Sequence, residues 1–232
     1  MKKRPLPSPN RPNRRQVRSA GTRAAILAAA SRVFAESGMD GARTDAITAA
    51  AGVNKALLYY YFKSKERLYE AVVEDLFAGF NRQALAVLTA PGPARAVLLS
   101  YVGLHFDFIS ARHRCASLHQ QVMMAGGKLA ERLIRKYFRP RSEAFGRLIE
   151  RGMRAGEFRR ADGFHSAMSI ISLIVFYFSA APVLKLMGHS DAYSPGNLKR
   201  RKQEVFDFIR NGLFTDPNFA DPNLADPNSF RP

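Results

Sequence analysis

The stretch between Thr44 and Phe62 cannot be one continuous helix. Gly52-Val53 sits in its middle, where a glycine favours a tight turn over helix propagation. Asn54 follows at once and offers a side-chain cap to a second helix running to about Phe62. The flanking segments carry the same punctuation. Thr22 can cap a first helix in which Ile26, Leu27, Ala30, Val33 and Phe34 form one apolar stripe, ended by Gly38 and Gly41. Thr44 can cap the next helix, with Asp45 near its positive end. Ser64 can cap a fourth, along which Leu68, Val72 and Leu76 keep the spacing.

Beyond Pro91-Gly92-Pro93, helices are expected near 94–111, 114–123, 128–155, 163–187 and 195–214. No stretch sustains strand alternation. The expected fold is therefore all-α with about nine helices: an N-terminal three-helix helix-turn-helix domain, then a larger helical domain. Residues 1–21 are expected to be a disordered basic arm, 22–66 the helix-turn-helix domain and 67–214 the second domain. Residues 215–232 repeat Asp-Pro-Asn three times at five-residue intervals, too short a period for a stacking unit, and read as a low-complexity tail. No apolar run reaches the roughly 20 residues of a membrane span, and the basic N-terminus lacks an apolar signal core, so a cytoplasmic location without membrane partners is expected. The one cysteine, Cys115, excludes an internal disulfide framework or a cysteine-rich metal site.

The formal charge of +17 favours an anionic partner, with nucleic acid first among candidates. Its distribution is uneven. Residues 1–24 hold eight Lys/Arg and no acid, residues 25–80 six basic against seven acidic, and the remainder 22 against 12. The helix-turn-helix block is thus almost neutral, so any DNA reading must rest on where its charges sit. The arm could add minor-groove or backbone contacts, or be merely solvated.

A DNA-reading helix needs one face anchored and one free. At about 100° per residue, Leu58 and Phe62 share the anchoring side, while Ala56, Tyr60 and Lys63 lie roughly opposite with Tyr59 beside them. Small Ala56 permits close approach to base edges, and tyrosine hydroxyls can donate to phosphates. Lys65 adds a charge in the first turn of the following helix. A leucine, tyrosine and phenylalanine stripe by itself is equally a core pattern. The ordered set Thr44-Asp45, Gly52-Val53, Leu58-Tyr59, Phe62 and Lys63-Ser64-Lys65-Glu66 resembles the DNA-binding domain of the TetR family of regulators, over about Arg23–Val73. The resemblance implies that Thr44 holds a phosphate, that Lys55, Ala56, Leu57 and Tyr59 face bases, and that Tyr60, Tyr61 and Lys65 touch the DNA backbone. Leu57 stands where Thr or Ser is common, and Tyr61 where His is common. Asn54 reads as a cap before a base reader.

The resemblance extends more weakly to 170–188 and 194–214, which are similar to the last two helices of many members. It implies a homodimer built on them, with Ser166, Ile170, Ile174, Phe178, Ala181, Val205, Phe206, Ile209 and Leu213 in the interface. The alternative is that these stripes belong to the core of a single chain. The family also implies a small-molecule effector in the middle helices, where Tyr101, His105, Phe106, Phe108, Ile109, Cys115, His119, Met123 and Phe176 are the candidate lining, against the alternative of plain core packing. Cys115, flanked by Arg112, His113 and Arg114, is either a thiol sensor or a quiet buried thiol. Arg132, Arg135, Lys136 and Arg139 recur at helical spacing and could attract an anion, or form a solvated face.

No nucleophile–base set, phosphate-cradling glycine loop or metal-ligand cluster is present, so neither an enzyme nor a cofactor or metal is expected. The reading is a homodimeric repressor bound to a double-stranded, palindromic DNA operator and released by a hydrophobic or amphipathic effector. A ligand-independent or activating regulator is the alternative within that class. A small-molecule-binding module with a decayed DNA motif is the alternative outside it.

Overall fold

The computed structural model describes residues 14–112, 122, 126–188 and 191–215, with the backbone alone for 14–18. The chain divides into two units at Val72/Val73. The first comprises α1 (Arg14–Gly41), α2 (Thr44–Ala51), α3 (Lys55–Phe62) and the start of α4 (Lys65–Leu88). Ile26, Ala30, Phe34, Ile47, Leu58, Phe62 and Leu68 form its buried interior. Each of these side chains larger than alanine stabilises the unit by about 1.5–3 kcal/mol.

Two sequence expectations shift here. Helix α1 begins at Arg14, well before Thr22, so 14–21 is not a disordered arm; residues 1–13 of that arm lie outside the described residues. A tertiary contact holds the added turns, since the hydroxyls of Ser19 and Tyr61 lie 3.0 Å apart in a hydrogen bond. The unit boundary falls at 72/73 and not at 66/67. The reason is that α4 lends its first turns to the first unit: Leu68 is buried, and Tyr69 meets Phe34 edge-on with ring centroids 5.1 Å apart.

The second unit contains the rest of α4, α5 (Ala94–Ser110), α6, α7 (Gly163–Ser179), α8 (Ala181–Leu186) and α9 (Pro195–Leu213). Helix α6 runs as Gly127–Leu133, a π turn Ile134–Phe138 and Arg139–Arg154. The expectation of an all-α fold with about nine helices is met among the described residues. The helix expected at 114–123 lies outside them except for buried Val122, as does the tail at 216–232. Helix α5 packs on α6, α7 and α9, and its Leu98, Tyr101, Val102 and Phe106 lie in a core shared with Phe145, Leu148, Ile170, Ile174, Phe178, Val205 and Ile209.

Prolines decide where the long helices bend. The single helix expected over 163–187 breaks at Ala180 because Pro182 has no N–H and its ring crowds the carbonyl four residues back. That carbonyl, of Phe178, instead accepts a hydrogen bond from the Tyr193 hydroxyl at 3.0 Å. In α6, Pro140 follows the π turn, where the Arg139 N–H reaches back five residues to the Ile134 carbonyl. A long-range cap replaces a local one at α5. Pro93 offers no side-chain cap, and the Glu157 carboxylate accepts from the N–H groups of Ala94 (3.0 Å) and Arg95 (2.8 Å).

Glu157 is held there by a short antiparallel pairing of Phe158 with Phe214, whose rings stack at 5.4 Å. Gly152 makes room for it, because a methyl group at that position would come within 2.1 Å of the Phe158 ring. Gly152→Ala is therefore expected to destabilise the second unit by about 1–3 kcal/mol through overpacking. Urea unfolding of the variant beside the parent checks this, and an unchanged midpoint contradicts it.

Candidate functional site

Helix α3 has eight residues, too few to be stable in isolation, and is held from both sides. Gly52 adopts the left-handed conformation (φ 65°) that closes α2, and the Val53 N–H bonds the Thr48 carbonyl at 3.1 Å. Asn54 Oδ1 accepts from the Leu57 N–H at 2.8 Å, so Asn54 is the helix cap. Ser64 likewise accepts from the Arg67 N–H at the start of α4. Thr44 does not cap α2: Arg43 occupies that position without a side-chain bond, and Thr44 is the half-buried first residue of the helix.

Leu58 and Phe62 are buried, leaving Lys55, Ala56, Tyr59 and Tyr60 exposed on α3. Tyr60 is 69% exposed, with the Lys63 ammonium 5.6 Å from its ring centroid. Lys55 forms an exposed ion pair with Asp45 at 2.7 Å, linking the surfaces of α2 and α3. The other candidates are more occupied. Leu57 is half-buried, Tyr61 bonds Ser19, and the Lys65 ammonium lies 3.4 Å from the carbonyls of Asp40 and Ala42 near the end of α1. Lys63, with φ 64°, occupies a left-handed turn that a non-glycine residue adopts at a cost.

The second unit holds a cavity of about 310 Å³ between α5, α6 and α7. Tyr101 and Phe145 form its buried wall, and exposed Ile134, Phe164 and Met168 its outer part. Of the expected lining residues only Tyr101 borders it among those described. His105 and Phe106 are buried in the core, the His105 ring 4.5 Å from that of Phe80, and Phe108 and Ile109 pack around the same core. Phe176 is corrected outright: at 71% exposure it lies on the outer face of α7. Cys115, His119 and Met123 lie outside the described residues.

Sequence reading missed Arg141, which borders the cavity at 5% exposure. Its signal was available, since Arg141 falls in register with Phe145 and Leu148 on the apolar face of α6. Its guanidinium lies over the rings of Phe138 (4.7 Å) and Phe80 (5.1 Å). Burial holds the Arg141 pKa below the usual arginine range, and burial likewise raises that of Tyr101, an effect the nearby arginine opposes. The exposed basic series resolves into local partners, with Lys136 paired to Glu74 and Arg139 to Glu143.

Seven of the nine expected dimer contacts are also corrected. Ile170, Ile174, Phe178, Val205, Ile209 and Leu213 lie in the chain's own core, Ala181 is buried, and Ser166 and Phe206 are half-buried. Both stripes turn inward to cover α5. The exposed apolar residues nearby are Phe164, Met168 and Phe176 on α7 and Phe208 on α9. A shallow groove of about 290 Å³ beside Phe208 is bordered by Ser166, Ser169 and Gly212. No group of three His, Cys, Asp or Glu among the described residues could hold a metal ion, and no helix among them is long and apolar enough to cross a membrane.

A helix-turn-helix with an open outer face, followed by a helical unit enclosing an apolar cavity, is the build of a DNA-binding transcriptional regulator. Residues 26–72 match the family of bacterial regulatory proteins of the tetR type, and residues 93–209 match the tetracyclin repressor-like C-terminal domain. The chain is 32% identical over 169 residues to the HTH-type transcriptional repressor NicS of Pseudomonas putida, covering 68% of this chain and 76% of that one. A transcriptional regulator from Saccharomonospora viridis in complex with choline has the same fold, with a TM-score of 0.69 at 20% identity over 85% of this chain and all of the other. So does FadR of Bacillus subtilis in complex with stearoyl-CoA, at 0.63 and 19% over 80% and 96%. The chain belongs to the TetR family of transcriptional regulators, and its relatives are regulators and not enzymes.

The π turn is tied to α4 within the second unit. Glu74 accepts from Lys136 at 2.5 Å and from the Tyr137 hydroxyl at 3.2 Å, while Phe77 stacks on Tyr137. The Lys136 hydrogen bond is the main cause that holds the Glu74 carboxyl below its usual range. Its folded pKa is thus depressed, so the stabilisation is present above the ordinary glutamate value and lost as pH falls through the folded one. Thermal melting across the acidic range should show a shallower acid-side loss for Glu74→Gln than for the parent. Identical pH profiles contradict the assignment.

Proposed function

We propose that the protein is a homodimeric repressor that occupies a two-fold symmetric DNA operator and is released by a small amphipathic effector in the cavity of its second unit. The observation that carries this is α3: Leu58 and Phe62 are buried while Lys55, Ala56, Tyr59 and Tyr60 are open to a partner. Lys55, Ala56, Leu57 and Tyr59 address the bases, and Thr44, Tyr60, Tyr61 and Lys65 the phosphates. Two of these must rearrange modestly, and a third is partly covered. Lys55 exchanges Asp45 for DNA, Lys65 leaves two long carbonyl contacts, and half-buried Leu57 offers only its outer atoms, suited to a thymine methyl. Acting on DNA places the protein in the bacterial cytoplasm.

The repressor role is supported by the likeness to NicS, and an effector by choline and stearoyl-CoA in proteins of the same fold. The dimer is assigned to the outer faces of α7 and α9, where Phe176 and Phe208 are exposed and Ser169 and Gly212 permit close approach. Two reading heads on a two-fold axis suit a palindrome and raise affinity through effective concentration. Ligand release follows from the π turn, because Phe138 borders the cavity and also meets Phe77 of α4 at 5.3 Å. Filling the cavity changes the support of α4, and only a ligand with different affinity for the two arrangements shifts DNA occupancy.

Gel shifts with the DNA upstream of the protein's own gene test the reading. Lys55→Ala with Tyr59→Ala is expected to lower specific affinity about tenfold or more while leaving the melting temperature almost unchanged. Binding no stronger than to random DNA, or a double variant that regulates like the parent, overturns it. For the assembly, Phe208→Glu is expected to convert a dimer to a monomer in sedimentation. A parent that sediments as a monomer at micromolar concentration overturns the dimer.

A further inference from the structure

The second unit buries a cation that has no counter-charge among the described residues. Arg141 is among the few charged residues in the described interior, and among the described residues its Nη1 has no hydrogen-bond partner and no carboxylate forms an ion pair with it. Aromatic faces from Phe80 and Phe138 stabilise the guanidinium but cannot neutralise it. The fully buried Tyr101 hydroxyl also lacks a partner among the described residues. Both residues border the same cavity, whose remaining inner wall is Phe138, Phe145, Ala167 and Ile171. The charged residues at its rim, Arg139 and Glu143, satisfy each other at 3.1 Å.

Two donors without partners among the described residues lie covered behind an apolar wall, and a ligand that displaces that cover to reach them must be of one kind. We propose that the cavity selects an apolar monocarboxylate, aromatic or short-chain aliphatic, whose carboxylate is held by Arg141 and Tyr101 and whose body lies against Phe145, Ala167 and Ile171. A carboxylate fits the planar guanidinium in bidentate fashion and carries the single negative charge that one arginine balances. A phosphate dianion would bring a second charge into a site with one cation. The volume, about 310 Å³, is at the small end of ligand pockets. The proposal rests on the effector reading above and narrows it to a chemical class.

The test uses the full chain with benzoate, cinnamate and octanoate, each beside its primary amide, followed by thermal shift and calorimetry. At least one acid is expected to raise the melting temperature at millimolar concentration and to bind about tenfold or more tightly than its amide. Arg141→Met should abolish that preference, weakening the acid about tenfold or more while leaving the amide bound as before. Tyr101→Phe should weaken the acid by a smaller factor, and it decides the matter if Arg141→Met does not fold. No binding by any acid, equal binding of acid and amide, or unchanged acid affinity in the variants overturns the proposal. DNA release is followed in the same samples. A neutral compound that fills the cavity and releases DNA overturns acid selectivity and leaves the effector reading intact. An acid bound through Arg141 without release supports the site and removes its effector role.

Discussion

The first unit depends on the burial of Leu58 and Phe62. An eight-residue helix forms too few internal hydrogen bonds to offset the entropy of ordering it, so α3 exists as a helix only while those side chains are packed. Everything else near it serves that anchoring. Gly52 turns the chain, Asn54 covers an open N–H, and the edge contact of Phe34 with Tyr69 fills the interior behind. With the inner face so committed, the outer face is released from any structural duty and can carry Lys55, Ala56, Tyr59 and Tyr60.

The second unit is organised by a different constraint. Its helices are long and apolar enough to form a plain bundle, and two prolines prevent that. Pro182 breaks α7 from α8, with Tyr193 satisfying the carbonyl left over. Pro140 follows a π turn, a wider coil that shifts the angular register of the residues after it. Phe138 ends that irregularity and Arg141 follows it, and both border the cavity. The turn also holds Glu74 and Phe77 of α4 through Lys136, Tyr137 and Phe138. One local defect in a helix thus brings a wall of the cavity into contact with α4.

Helix α7 illustrates how closely core and surface share one element. Ile170, Ile174 and Phe178 cover α5, while Met168 and Phe176 on the same helix remain open. Both sets are apolar and both recur at helical spacing. A stripe found in sequence is therefore compatible with either face, and here the alternative of a single-chain core holds for it. The same ambiguity makes Phe176 a candidate for the cavity by spacing alone, whereas it lies on the outer face of α7.

The sequence by itself determined the order and type of the helices, the turn at Gly52, and the caps at Asn54 and Ser64, because these depend on residues within about one helical turn of each other. It also made the anchored and open sides of α3 legible, since Leu58 and Phe62 stand apart from their neighbours. Only the tertiary structure decided which apolar stripe of α7 and α9 faces inward, how far α1 extends, and that Arg141 is buried with no carboxylate paired to it among the described residues. Those outcomes turn on partners distant in the chain, such as Tyr61 for Ser19 and Phe80 for Arg141. Periodicity reports that a face will be covered; what covers it is a property of the packed chain.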